Sequence, residues 1–430
     1  PTCFAFAMKL AGGGVTVDKC PYLSAEVKAE LADALAPPIK LVSIGSGPNA
    51  VKIGEEEVLY RHEKTFIHQP GIALLIKDTE TDAVIDAKIK KIGELQYPWV
   101  GVTLKSNLIA LMNESADKEK FLALIKKASA AADVPLLLMS KYTDNLLAAY
   151  DLMRDKKPLL YPVLKENIEQ IIGHIKAAPV PVVVKANTIE DLIPMTTKLK
   201  EAGIEEIVLD PISKTFAEAV EHQTLLRRAA LKQNFRPLGY PSIGLPCFMT
   251  QDKFREMALA AMYVIKYPGI IVLSDFDSKT LLPLLVLRLN IYTDPRIPMS
   301  VEEKIYTVGE PDENSPVLVT SNWALTYFIV AGEIEGSKIP AWLCVKDTEG
   351  LGVLTGWAAG KFSGDSIGPY MKKFKIEEKV KHRKLVIPGK VARIKGELED
   401  ALPGWEIIVG PREASEIPNY LPALVKQWKN

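Results

Sequence analysis

The stretch "VPVVVKANTIEDLIPMTTKLKEAGIEEIVLD", residues 180–210, holds the fold in miniature. Its two ends, "VPVVVKA" and "EEIVLD", are short apolar runs of strand length. Between them, "TIEDLIPMTTKLKEAG" repeats apolar residues at three- and four-residue intervals, the period of an amphipathic helix. Strands that are apolar throughout, separated by helices, belong to a parallel sheet covered on both faces.

The same unit recurs outward in both directions. Apolar runs begin at 71 ("GIALLIK"), 98 ("PWVGVTL"), 134 ("VPLLLMS"), 157 ("KPLLYP"), 236 ("RPLGYPSIG") and 269 ("GIIVLSD"), with helix-length stretches such as "VLKENIEQIIGHIKAA" between them. Together with the opening pair these predict eight strands, which fits a closed (β/α)8 TIM barrel over 36–300 better than an open sheet. The text before it, "PPIKLVSIGSGPNAVKIGEEEVLYRHEKTF", is rich in turn residues and predicts a small hairpin cap at the barrel bottom. A closed barrel takes about 250 residues. A chain of 430 residues therefore needs further domains.

Around 292–316 the composition changes to "YTDPRIPMSVEEKIYTVGEPDENSPV", read as a proline-rich connector and hinge. Beyond it, "PVLVT", "AWLCVKD", "KLVIPG" and "WEIIVG" are strands alternating with helices, a Rossmann-like α/β unit over 301–430. Here the glycines 350, 352, 356, 360, 364 and 368 follow the strand "AWLCV", beside Trp323 and Trp357. In open sheets ligands bind beyond the carboxyl ends of the strands, so the six glycines read as a cofactor cradle. Each glycine taken singly reads instead as serving a tight turn or close helix packing, and it is the six together that point to a site. The spacing is neither that of a dinucleotide fingerprint nor that of a P-loop.

Lys+Arg and Asp+Glu both number 53, so no broad basic face for nucleic acid is expected. The four cysteines have no disulfide-framework spacing, and no apolar run reaches spanning length, so a cytoplasmic chain off the membrane is expected. The five histidines, His62, His68, His174, His222 and His382, show no ligand spacing and read as packing or surface residues. Cys247 and Cys344 read as small buried hydrophobes. Asp275 and Asp277 stand at a strand's carboxyl end, where barrel catalysts sit, but helix N-capping explains them as well.

The opening "PTCFAFAMKLAGGGVTVDKCP" holds Cys3 and Cys20 with sixteen residues between them, a separation open to a metal centre or a disulfide. It resembles the end of the iron–sulfur motif in the large (gamma) subunit of the corrinoid iron–sulfur proteins of the carbon monoxide dehydrogenase/acetyl-CoA synthase pathway. "VLVTSNWALTYFIVAGEIE", "IPAWLCVKDTEGLGVLTGWAAGKF" and "PGWEIIVGPREASEIPNYLP" are similar to that family's corrinoid-binding domain, so the resemblance spans the chain.

The resemblance implies that 1–35 is the end of a [4Fe–4S] domain. Cys3 and Cys20 take its third and fourth ligand positions, and the first two precede Pro1 in a missing piece. It implies a base-off corrinoid held by Thr320, Thr326, Gly350, Leu351, Gly352, Val353 and Ala414, with Thr355 facing the lower side of cobalt. It implies a methyl carrier: Co(I) takes a methyl group from a methyltetrahydropterin through a methyltransferase and passes it to the nickel centre of acetyl-CoA synthase. The cluster would return stray electrons, and a small barrel subunit would complete a heterodimer. Two other readings stand beside it: a self-sufficient pterin-dependent methyltransferase using Asp275 and Asp277, and an assembly scaffold without cofactors.

Overall fold

The computed structural model describes residues 2–11, 14–99, 102–294, 296 and 298–429. Gly12 and Gly13 of the glycine cluster, and Pro295 of the connector, lie outside them. The chain divides into two compact units, residues 1–97 with 104–292, and residues 98–103 with 293–430.

The first unit is a nearly closed barrel of eight parallel strands in chain order. They are β1 (Gly71–Lys77), β2 (Leu108–Asn113), β3 (Leu136–Ser140), β4 (Leu159–Val163), β5 (Val182–Lys185), β6 (Ile207–Asp210), β7 (Ile243–Gly244) and β8 (Ile270–Leu273). This is the order of a TIM barrel. The last seam, between β6 and β7, is a single bridge from Leu209 to Ser242, where Leu209 N donates to Pro241 O at 2.9 Å. Alternate strand residues, among them Ala73, Leu75, Ala110, Met139, Val183 and Val272, fill the interior. Their neighbours, such as Ile72, Leu74 and Ile109, are equally buried, which is why the strands are apolar throughout.

The hairpin Val42–Ile44 with Val51–Ile53 is antiparallel, and all four of its outer residues join the barrel core. A Cβ on Gly71 would lie 3.2 Å from Val51, and one on Gly269 2.8 Å from Ile53. Both glycines begin or precede strands, so the hairpin plugs the amino-terminal mouth, as the turn-rich text implied.

Strand two departs from expectation. Tyr97–Trp99 and Val102–Leu104 form a separate two-stranded sheet, and β2 is the run "LIALMN" that follows. Pro98 offers no N–H to a central ladder, whereas 108–113 presents an unbroken row of donors. Ahead of the barrel lie helices Cys3–Ala11 and Ala25–Leu35, the latter capped by Ser24, which accepts from Val27 N at 3.3 Å.

The second unit is a five-stranded sheet. Its strands are β9 (Lys304–Val308), β10 (Val317–Ser321), β11 (Ala341–Lys346), β12 (Lys384–Ile387) and β13 (Glu406–Val409), in the order β9-β11-β10-β12-β13. All are parallel except β9, which pairs antiparallel with β11 at the edge. Five helices complete it: α1 (Ala324–Gly336), α2 (Val353–Ala358), α3 (Gly364–Lys373), α4 (Lys395–Ala401) and α5 (Ile417–Lys429). Ile334 of α1 and Leu421 of α5 cover one face, and Ile367 of α3 and Leu398 of α4 the other.

The expected connector is much shorter than its composition implied. Residues 304–308 are an edge strand, and 299–301 are already tied in, since Val301 N donates to Asn322 O at 2.8 Å and Ala324 N to Met299 O at 2.9 Å. An edge strand with a mostly half-exposed pattern, as in "KIYTV", carries no apolar run to betray it.

Candidate functional site

From β10 the chain winds through α1 to β11 on one side, then crosses back to β12 on the other side of β10. Between β10 and β12 the winding direction reverses, and the diverging connections leave a crevice beyond the carboxyl ends of the strands. A cavity of about 360 Å³ lies there. The ends of β10 and β12 form its floor, α1 one wall, the Gly352–Thr355 segment a second, and the loop 411–414 a third.

The walls are largely apolar, with Leu318, Trp323, Ile329, Val353, Val386 and Ile387 among them, and three hydroxyls interrupt them: Thr320, Thr326 and Thr355. Among the described residues, no histidine, cysteine or methionine lines the cavity. Thr320 is 1% exposed and its Oγ1 has no hydrogen-bond partner. A buried hydroxyl left unsatisfied costs about 1–3 kcal/mol, and this one, unlike the equally unpaired Ser321 hydroxyl, belongs to a residue that lines the cavity.

The segment that carries the second wall is set by Asn322, a residue the sequence reading passed over. Its Oδ1 accepts from Thr348 N at 2.9 Å and Gly350 N at 3.1 Å, and its Nδ2 donates to Asp347 Oδ1 at 2.8 Å. Thr348 Oγ1 then donates to Leu351 O at 2.6 Å. This clamp holds a turn in which Glu349 and Gly350 both adopt positive φ, 57° and 74°. The signal for it in the sequence was no more than an asparagine just after a strand.

Thr320, Thr326, Gly352, Val353, Thr355 and Ala414 meet around the one cavity, while Gly350 and Leu351 shape the turn without lining it. A Cβ on Gly352 would come within 3.0 Å of the Trp323 ring, so this glycine lets the backbone seat against the indole. The cradle of six glycines is otherwise corrected. Gly364 and Gly368 serve helix packing, where a Cβ would meet Glu397 at 2.5 Å and Ala401 at 2.8 Å across the α3–α4 contact. Gly356 packs on Thr348, and Gly360 takes a positive φ in a turn.

Elsewhere, Asp277 caps helix Ser278–Ile291, accepting from Lys279 N at 2.9 Å and Thr280 N at 3.0 Å, and Asp275 pairs with Lys91 at 2.6 Å. His68 and His174 pair with Glu55 and Asp151, at 2.8 and 2.9 Å. Cys344 is fully buried, and that burial pushes its thiol up to about 12. Cys247 packs against the barrel core. Cys3 is exposed and Cys20 half-buried, both as free thiols, and among the described residues no three potential ligands gather into a metal site. No helix among them is long and apolar enough to cross a membrane.

A parallel barrel followed in the chain by an open sheet with a crevice at its reversal point defines a two-unit α/β protein with a candidate ligand site. The family model for the CO dehydrogenase/acetyl-CoA synthase delta subunit matches residues 41–421, and the chain belongs to this family of CO dehydrogenase/acetyl-CoA synthase subunits. It is 42% identical over 417 residues to the corrinoid/iron-sulfur protein large subunit of Moorella thermoacetica, covering 97% of this chain and 93% of that protein. It is 36% identical over 432 residues to the acetyl-CoA decarbonylase/synthase complex subunit gamma of Methanopyrus kandleri, covering 98% and 93%. The resemblance drawn from the sequence is thereby borne out.

Proposed function

We infer that this chain is the large subunit of a corrinoid iron–sulfur protein, a methyl carrier in acetyl-CoA synthesis, and that its Rossmann-like second unit holds the corrinoid. The observation that carries this reading is the Thr320 hydroxyl, buried and unpartnered beside a mostly apolar cavity at the β10–β12 reversal point. The residues fit the group on two counts. The walls suit a broad apolar macrocycle rimmed by polar groups, and Gly352 lets the second wall seat against the Trp323 indole, where a Cβ would come within 3.0 Å of the ring.

When bound, a corrinoid supplies a cobalt centre that accepts a methyl group from a methyltetrahydropterin and yields it to the nickel centre of acetyl-CoA synthase. Thr320 and Thr326 would hydrogen-bond the macrocycle's edge, Gly352, Val353 and Ala414 would pack against it, and the apolar walls would exclude water. Thr355 is the residue we assign to the lower side of the metal. The lining offers hydroxyls and no imidazole, so these residues would hold a corrinoid by packing and hydrogen bonds and would supply no strong metal ligand. Gly350 and Leu351 act through the turn rather than by contact.

Leu325, Ile329 and Leu354 stand 52%, 46% and 52% exposed on the elements that wall the cavity, an apolar surface suited to a covering subunit. The proposed partners are a small subunit, a pterin methyltransferase and acetyl-CoA synthase. A [4Fe–4S] cluster takes four ligands, and Cys3 and Cys20 supply two, so no step is assigned to it.

The test is anaerobic reconstitution of the chain, coproduced with its candidate small subunit, with hydroxocobalamin and a low-potential reductant, followed by desalting. Near-stoichiometric retained corrinoid with a base-off spectrum is expected. A colourless desalted protein would overturn the reading.

A further inference from the structure

Three charged side chains border the cavity: Lys390, Arg412 and Glu413. Two of them cancel, since Lys390 Nζ lies 2.9 Å from a Glu413 carboxylate oxygen. Arg412 is left as a cation with no ion-pair or hydrogen-bond partner among the described residues. Its backbone is nonetheless fixed. Gly389 N donates to Pro411 O and Gly410 N to Ile387 O, each at 2.9 Å, and a Cβ on Gly389 would lie 2.6 Å from Gly410 O. The loops after β12 and β13 are thus pressed together, and Arg412 leaves that junction at the cavity's edge.

A planar guanidinium presents paired donors that match two oxygens of a phosphate, and an unpaired one at the border of an apolar cavity favours an anionic group on whatever the cavity holds. The corrin ring carries neutral amides, but complete corrinoids also bear a nucleotide tail joined through a phosphodiester. We propose that Arg412 is a specificity residue that recognises this phosphodiester, so that the site prefers tailed corrinoids over tailless ones. The proposal rests on the corrinoid reading above and adds to it a selection among corrinoids.

Equilibrium binding to the chain coproduced with its candidate small subunit, followed by quenching of tryptophan fluorescence, tests it, with hydroxocobalamin as the tailed probe and cobinamide, which lacks the nucleotide and its phosphate, as the tailless one. Because Arg412 is exposed, the wild-type chain is expected to prefer hydroxocobalamin by about threefold at low salt, the scale of one ion pair at an exposed site. Arg412→Ala is expected to remove that preference while leaving cobinamide affinity within about twofold. Glu413→Gln, which releases Lys390 and makes the border more positive, is expected to widen the preference, and added salt to narrow it. Equal preference in wild type and Arg412→Ala would overturn the role of Arg412 while leaving the corrinoid reading intact. Failure of both probes to bind the wild-type chain would overturn both.

Discussion

Thr320 has a cost in one state and a use in another. A hydroxyl buried without a partner weakens the free protein, and the same hydroxyl strengthens any complex that engages it. Thr320→Val keeps the shape and removes the polar atom, so its two effects are expected to carry opposite signs. Urea unfolding without corrinoid should show the variant as stable as wild type or more so, by up to about 1 kcal/mol, while hydroxocobalamin binding weakens roughly three- to tenfold. Loss of stability with unchanged binding would mean that the hydroxyl serves the fold instead. At this scale the site was legible through the family resemblance, which implied Thr320, Thr326 and Thr355, and all three line the cavity. It was illegible for Asn322, whose importance lies in three backbone and side-chain partners that only the folded turn assembles.

Among the elements, the barrel strands were readable because burial on both faces forces them to be apolar throughout. The exceptions have physical causes. The run at 98 is apolar yet contains Pro98, and β9 is a strand without an apolar run because an edge needs only one partner. The glycines of α3 misled for a related reason: close helix contact and ligand approach demand the same missing Cβ, and spacing does not tell them apart.

Element ends also set the molecule's pH response. Asp210 closes β6 in full burial, which raises its carboxyl above the usual range despite the nearby Lys185 charge and the hydrogen bonds from Tyr161 at 2.9 Å and Ile212 N at 3.1 Å. A carboxyl raised in the folded state contributes stability that is full below its unfolded value, about 4, and is lost as pH climbs through the folded one. Asp210→Asn should therefore show a smaller fall in unfolding free energy than wild type as pH rises from about 4 to 7. Parallel curves in a urea series would contradict this.

At the scale of the whole molecule, the two units differ in what the carboxyl ends of their strands present. In the first, Asp275 and Asp277 at the barrel's carboxyl end are engaged by Lys91 and by a helix amino terminus, so the likeliest catalysts of a self-contained barrel enzyme are spent on structure. In the second, the winding reversal opens a cavity, and the residues around it leave a buried hydroxyl and a cation unpartnered. The central claim is that this cavity holds the corrinoid. The most direct measurement is an anaerobic crystal or cryo-electron microscopy structure of the chain reconstituted with hydroxocobalamin. The account predicts a macrocycle beyond the carboxyl ends of β10 and β12, beside Thr320 and Gly352, with its phosphodiester at Arg412. A corrinoid bound at any other place, or an empty cavity under saturating corrinoid, would contradict it.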